Sequence, residues 1–239
     1  MTVKRWIQLR ELGSNQWVLP IYTAWLQAER EGRVAGQTPE IVDRGLGITI
    51  RLNLLRHLMR RVQDDTRALT VEINKNVADE HHYTTENDGV TLPVDDDIKY
   101  QVIADFHALL SEVDACIECM KKFVVAIHTR THQPITMRQA GDMIDTWMHD
   151  RGIAPAWFKE MADSRNFIAH DSAFYLALDT TESSWDLLLL KENVKVFDDP
   201  NTYVRISRVV EIVHVFLNCQ EAMQTHLIKL FETATPPTQ

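Results

Sequence analysis

The chain has 239 residues, of which 45% are hydrophobic and 25% charged, and a formal net charge of −9. That length can bury a real core and fits one large domain or two small ones, while the acidic balance excludes a general nucleic-acid binder, because phosphate contacts need positive potential. The longest apolar runs, such as 123–127 and 187–190, fall far short of the ~18–20 residues that span a bilayer. Lys4-Arg5 has no apolar stretch behind it, so neither a signal peptide nor a membrane partner is expected and the cytoplasm is the default compartment. Charge is uneven: residues 1–70 hold 11 basic and 7 acidic side chains, the remainder 14 and 27. Any nucleic acid would have to meet the N-terminal third or a local pocket.

In chain order, residues 16–33 predict a helix with Trp17, Ile21, Ala24 or Trp25, and Ala28 on one side, closed by Gly32 and Gly36. Thr38-Pro39-Glu40 restarts the chain with a capping Thr and a Pro at the first helical position. In the second helix Ile48, Leu52, Leu55, Met59 and Val62 recur at steps of four and three, a packed stripe. Gly45-Leu46-Gly47 near its start lacks the third glycine and the preceding strand of a dinucleotide loop. The same helix carries Arg44, Arg51, Arg56, Arg60, Arg61 and Arg67. Asp64 and Asp65 stand four residues beyond Arg60 and Arg61, which predicts i,i+4 ion pairs on a solvated face; the alternative is a basic stripe turned toward RNA.

Residues 74–93 are polar and turn-rich, with Asn87-Asp88-Gly89 as the sharpest turn signal, and read as a loop. Asp95-Asp96-Asp97 then opens the longest helix, acidic residues suiting a helix N-terminus. Val102, Phe106, Leu109, Val113, Cys116, Met120, Val124 and Ile127 keep a near-heptad stripe along it. At about 1.5 Å per residue, 98–128 is a rod of about 45 Å and the natural spine of a bundle. Pro134 stops it; 136–151 gives a shorter helix with Ala140, Met143, Ile144 and Trp147, ended by Gly152. Two short apolar runs, 173–178 and 185–190, joined by a polar turn predict a β-hairpin at about 173–190, although leucine has little strand preference. Residues 201–232 form the last helix, with Ile206, Val209, Val213, Phe216, Gln220, Met223, Leu227 and Leu230 inward. The expected architecture is mainly α, as one structural unit. It comprises an N-terminal helical segment (1–75) packed on the core, a loop (76–92), a helical bundle (93–232) holding the hairpin before its last helix, and a tail (233–239).

Most reactive-looking clusters have a plain structural reading. Cys116 and Cys119 form a C-x-x-C inside a periodic helix, without the second ligand pair of a zinc site, and read as two small core residues. Glu80-His81-His82 lacks regular metal-ligand spacing. A di-metal carboxylate bundle needs two Glu-x-x-His motifs, and only Glu211-Ile-Val-His214 occurs. Serine hydrolase, kinase and P-loop signatures are absent, and neither cofactor nor metal is expected.

The stretch 163–171 concentrates what remains. Arg165-Asn166-Phe167-Ile168-Ala169-His170 places an arginine, an amide and an imidazole within six residues, after a short amphipathic run. With Arg, four residues, then His, and a polar Asn after the Arg, the chain resembles the HEPN superfamily (higher eukaryotes and prokaryotes nucleotide-binding) over roughly 93–232. Two other segments satisfy the looser Arg-to-His spacing, Arg51 to His57 and Arg208 to His214, but both lie within regular helices and their Arg precedes Leu or Val. The resemblance implies a metal-independent endoribonuclease that acts as a homodimer, with the two motifs meeting in an interface cleft. RNA would be the substrate, cleaved through its 2′-hydroxyl. His170 would serve as general base or acid, Arg165 would hold the phosphate and stabilise its developing charge, and Asn166 would orient His170 or bind phosphate. Asp163 or Asp171 would raise the imidazole pKa or act as a solvated cap. A toxin or anti-phage role, with an antitoxin as partner, belongs to the same expectation, as does the alternative of a non-catalytic HEPN-like nucleotide-binding or protein-interaction module.

Helical geometry makes Arg165 the residue to explain. On an ideal helix Asn166 and His170 are an i,i+4 pair on one polar side with Lys159 and Asp163, whereas Arg165 falls between Phe158, Met161 and Ile168 on the apolar side. Either the helix breaks near Arg165, or this residue faces a pocket or a second subunit, or it is a buried arginine tying the bundle to a carboxylate on another helix.

Overall fold

The computed structural model describes residues 16–77, 84–86, 89–154, 157–170, 175–181, 185–190 and 199–236, and for residues 77, 84–86, 89–91, 165 and 167–170 it describes the backbone alone. It is mainly helical. The described residues form helices α1 (Leu19–Arg30), α2 (Pro39–Val77), α3 (Asp96–Arg130), α4 (Met137–His149), α5 (Trp157–His170) and α6 (Ile206–Thr233). Two strands, β1 (Thr84–Glu86) and β2 (Gly89–Thr91), pair between α2 and α3. A three-stranded antiparallel sheet, β3 (Tyr175–Asp179), β4 (Asp186–Leu190) and β5 (Tyr203–Arg205), precedes α6, with β4 in the middle. Among the described residues no helix is long and apolar enough to cross a membrane.

The frame is the antiparallel pair α2 and α3. Every residue of the predicted α3 stripe, from Val102 to Ile127, is buried, as are Ile48, Leu52, Leu55 and Val62 of α2. At about 1.5–3 kcal/mol for each large apolar side chain withdrawn from water, this seam makes a large stabilising contribution. Asp95 caps α3 by accepting from the Asp97 and Ile98 amides, and a reciprocal Thr136–Gln139 capping box starts α4. Gly152, at φ +88°, follows α4 in a conformation that suits glycine.

α1 packs against α6 and against the first turns of α2, within the same apolar core. Trp25 stacks on Phe231 with ring centroids 5.2 Å apart, and Trp17 Nε1 donates to the Gln220 carbonyl at 2.8 Å. Tyr22, buried in the same core, donates its hydroxyl to the Val42 carbonyl at 2.7 Å. That approach explains Gly45: a Cβ there would fall on the Tyr22 hydroxyl and lie 2.6 Å from Val18 Cγ2. The Gly-Leu-Gly stretch is therefore the place where α1 comes close to a continuous helix.

Several boundaries differ from expectation. The region expected as a loop (76–92) begins inside α2, which runs to Val77, and contains the β1–β2 pair, Glu86 opposite Gly89. Glu80-His81-His82 and the Asn87-Asp88 turn lie outside the described residues. The hairpin is present as β3 and β4, but β5 adds a third strand from what was expected to be the start of the last helix: a short 3₁₀ turn, Pro200–Thr202, and β5 come before α6. β4 forms from leucines because all four of Leu187, Leu188, Leu189 and Leu190 are buried in the central strand, where burial outweighs propensity. Asp179 and Asp186 face each other across β3 and β4, a repulsive pairing that Arg205 neutralises by bonding both, at 2.8 and 3.2 Å.

Gly45→Ala and Gly47→Ala should have opposite signs. Each gains up to about 1 kcal/mol of helix propensity. Gly47 faces open space, so its substitution should stabilise, whereas Gly45→Ala overpacks the α1 contact by about 1–3 kcal/mol and should destabilise. Urea unfolding of both variants measures the difference.

Candidate functional site

α5 is positioned by its N-terminal half. Trp157 and Met161 are buried, with Trp157 6.5 Å from the Phe216 ring of α6. Lys121 of α3 places its ammonium 4.5 Å from the centre of the Phe158 ring. Glu160 accepts from Arg208 of α6 at 3.2 Å, and buried Ser164 satisfies its hydroxyl on the Glu160 carbonyl at 2.7 Å. The helix is thus fixed to both α3 and α6 along the face that Trp157, Met161 and Ser164 define.

From that face the motif's register follows. α5 runs unbroken from Trp157 to His170, so the first explanation for Arg165, a helix break, does not apply. Arg165 is one turn beyond Met161 and two beyond Phe158, at the flank of the buried face. Asn166 is exposed, and His170, the last residue of the helix, follows it by four. Five residues of α-helix put Arg165 and His170 about 140° apart around the axis and about 7.5 Å apart along it. The fold therefore groups Asn166 with His170 and sets Arg165 on another side. Asp163 is engaged by Lys159 in an exposed i,i+4 pair, an arrangement that directs its charge along the solvent face of α5. Asp171 lies outside the described residues.

The two other Arg-to-His spacings are built into the bundle. Arg51 donates to Glu112 of α3 at 2.7 Å. Arg208 bridges Glu160 of α5 and its own neighbour Glu211, the latter at 2.7 Å. Both arginines join helices.

Most of the α2 arginine row is also taken up by carboxylates, within α2 or across to α3. Arg44 pairs with Glu40, Arg61 with Asp105 and Arg67 with Asp64. The expected Arg60–Asp64 and Arg61–Asp65 pairs do not form, because Arg61 reaches across to α3 and grips both oxygens of Asp105, each at 2.8 Å. Among the described residues Arg56 and Arg60 have no carboxylate partner, and burial together with the nearby Arg60 charge lowers the Arg56 pKa.

Beside Arg61 sits a pair of carboxylates that belongs to no recognisable motif. Asp65 and Asp105 are both buried between α2 and α3. Gln101 donates to Asp65 Oδ1 at 2.8 Å, while Oδ2 faces no donor. Burial first, and then the neighbouring Asp105, pushes Asp65 up to about 6, against the pull of Arg61 and Gln101. A sequence signal exists for one of them: Asp65 falls between Val62 and Leu69, where the α2 stripe calls for an apolar residue, whereas Phe106 holds the α3 stripe position and Asp105 stands beside it. Cys116 and Cys219 are buried free thiols held in the protonated form by burial, and Cys119 is half-buried. Among the described residues no group of three or more His, Cys, Asp or Glu could hold a metal ion.

Comparison of the chain with family models, with curated proteins and with solved structures finds no match.

The carboxylate pair has a measurable consequence. The folded-state value of Asp65 lies above the ordinary carboxyl value, so the folded protein holds an extra proton between about pH 4 and 6. The stability it contributes is complete below about pH 4 and is lost as pH rises through about 6, up to about 2–3 kcal/mol. Asp65→Asn should remove that slope and melt higher than the wild type at pH 8, measured by thermal unfolding across pH 4–8.

Proposed function

We propose that the chain is a metal-independent endoribonuclease of HEPN type, with Arg165, Asn166 and His170 as its working residues. The observation that carries the reading is the register of the third Arg-to-His spacing, which stands on the C-terminal half of a short helix with Asn166 exposed and His170 one turn beyond it. Its setting, a helical bundle with a long α3, a shorter α4 and a closing α6, supports the same reading.

In this reading His170 takes the proton from an RNA 2′-hydroxyl. The freed oxygen attacks the adjacent phosphorus, the bond to the 5′-oxygen breaks, and that oxygen leaves with a proton. Arg165 holds the phosphate and stabilises the charge that develops on its oxygens. The 140° divergence of Arg165 and His170 on one helix favours a homodimer in which one copy's arginine serves the other copy's histidine. The working setting is cytoplasmic, in the manner of a toxin or anti-phage nuclease with an antitoxin as protein partner.

A second reading, a non-catalytic HEPN-like nucleotide-binding or protein-interaction module, is favoured by charge. The protein is acidic, and four α2 arginines are occupied by carboxylates, which weakens the positive potential that α2 could offer a long RNA.

Purified protein should cleave single-stranded RNA in the presence of EDTA, and His170→Ala and Arg165→Ala should each lose about 10²-fold or more of that activity with melting temperatures unchanged. Equal cleavage by His170→Ala, or none by the wild type, would leave the non-catalytic module as the function.

A further inference from the structure

Two histidines meet inside the bundle, far along α3 from the carboxylate pair. His128, in the last turn of α3, is buried, and His226 of α6 is half-buried. Their Nε2 atoms are 3.2 Å apart. His128 Nδ1 lies 3.2 Å from the Gln133 carbonyl, which can only accept, so Nδ1 carries the hydrogen. Neutral His128 therefore presents a bare lone pair at Nε2, and the hydrogen between the rings belongs to His226. The tautomers of both residues follow from one backbone carbonyl.

The alignment of the rings says what occupies the gap. Their centroids are 5.4 Å apart and their planes 29° from parallel. Each nitrogen is about 1.1 Å from its ring centre, so two imidazoles meeting end to end across this gap have centroids about 5.4 Å apart. The lone-pair directions are thus nearly collinear, as a hydrogen bond requires. A metal ion bound by both nitrogens at about 2.0–2.1 Å would instead need the axes to converge at an angle near the tetrahedral value.

We propose that the His128–His226 contact is a proton-controlled latch that fastens the C-terminal end of α3 and the turn after it to α6, closed while one of the two facing nitrogens is bare and opened when both rings are imidazolium. One added proton can sit on His226 Nδ1 and leave the Nε2–H···Nε2 bond intact; with both rings protonated, hydrogens occupy both facing nitrogens and two positive rings meet with no acceptor between them. The surroundings offer no relief. Lys229, one turn along α6 from His226, adds positive charge; α4 contributes the uncharged Trp147 ring, 5.6 Å from His226; the turn contributes the Gln133 carbonyl already used. Among the described residues no carboxylate pairs with either histidine. Burial lowers both histidines below their ordinary value, and His128 and Lys229 lower His226 further. The folded protein then binds fewer protons than the unfolded chain near pH 6, so stability at this contact falls as pH drops through the ordinary histidine range, opposite in sign to the Asp65 effect.

The latch holds a strained turn. The last carbonyls of α3 are covered by the buried Thr131 hydroxyl, His132 adopts φ +61°, and the Gln133 amide returns to the His128 carbonyl at 2.9 Å. Releasing His128 from α6 frees this turn, which leads directly into the Thr136 cap of α4.

The test is amide hydrogen exchange and imidazole ¹⁵N spectra of the whole protein between pH 7.5 and 5.0. At pH 7.5 the spectra should show Nδ1–H on His128 and Nε2–H on His226. Protection around 124–133 should fall on acidification at a midpoint below the ordinary histidine value, with the melting temperature dropping about 2–4 °C. His226→Gln offers an amide that can donate or accept, so it should keep protection at both pH values, and His226→Phe should lack it at both. A variant profile for His226→Gln identical to the wild type, or a His128 that titrates as an ordinary exposed histidine, would overturn the latch. Stoichiometric Zn²⁺ that protects the wild type but not His226→Gln would also overturn it, making the pair a chelate.

Discussion

Burial of one seam between α2 and α3 is the constraint on which every other element depends. These helices are 39 and 35 residues long, and their polar contacts climb one helix as they descend the other: Arg51 to Glu112, Arg61 to Asp105, Asp65 to Gln101. Register in an apolar seam is fixed only loosely by leucine and valine, which tolerate sliding by a turn. Ion pairs that span two helices do not, because a slip of one turn moves each partner by about 5.4 Å and leaves a half-buried charge alone. Arg51 and Arg61 are best understood as the device that sets this register. α1 and α6 then fill the groove beside the seam, and Gly45 lets α1 sit close enough to seal it.

This explains which parts of the fold are legible in the sequence. α3 can be read nearly residue by residue, since eight stripe positions at steps of three and four leave no other structure able to bury them. α6 and α4 are readable for the same reason, α4 with its capping box. β5 is not: three residues, Tyr203 to Arg205, carry no periodicity, and they form a strand only because Leu188 to Leu190 offer an unpaired edge. The β1–β2 pair is equally short. The end of α2 is hidden because residues 74–77 are polar, and a polar stretch continues a helix when the preceding turns are already anchored.

Legibility of candidate sites follows a different rule. The motif draws attention to Arg165, and partner requirement explains why: an arginine at an apolar register demands an account. The same rule, applied beyond arginine, marks Asp65, which lies between Val62 and Leu69. Asp105, His128 and His226 stand beside the stripe residues Phe106, Ile127 and Leu227, so only the fold shows that they are engaged between helices. In each case the fold supplies the partner that the sequence could only imply, because the partner sits on another helix: Arg61 of α2 for Asp105 of α3, His226 of α6 for His128 of α3. A polar residue at a core register signals that a second one exists, without saying where.

α5 is anchored to the bundle by Trp157 near Phe216, Phe158 under Lys121 and Glu160 on Arg208, while Ser164 bonds its own helix carbonyl. Arg208 joins Glu160 of α5 to Glu211 of its own helix, so one guanidinium serves both elements at this contact. A planar fork engaged by two carboxylates fixes the rotation of α5 against α6 as well as its distance. Once that rotation is set, the places of Arg165, Asn166 and His170 around the α5 axis follow from helical geometry.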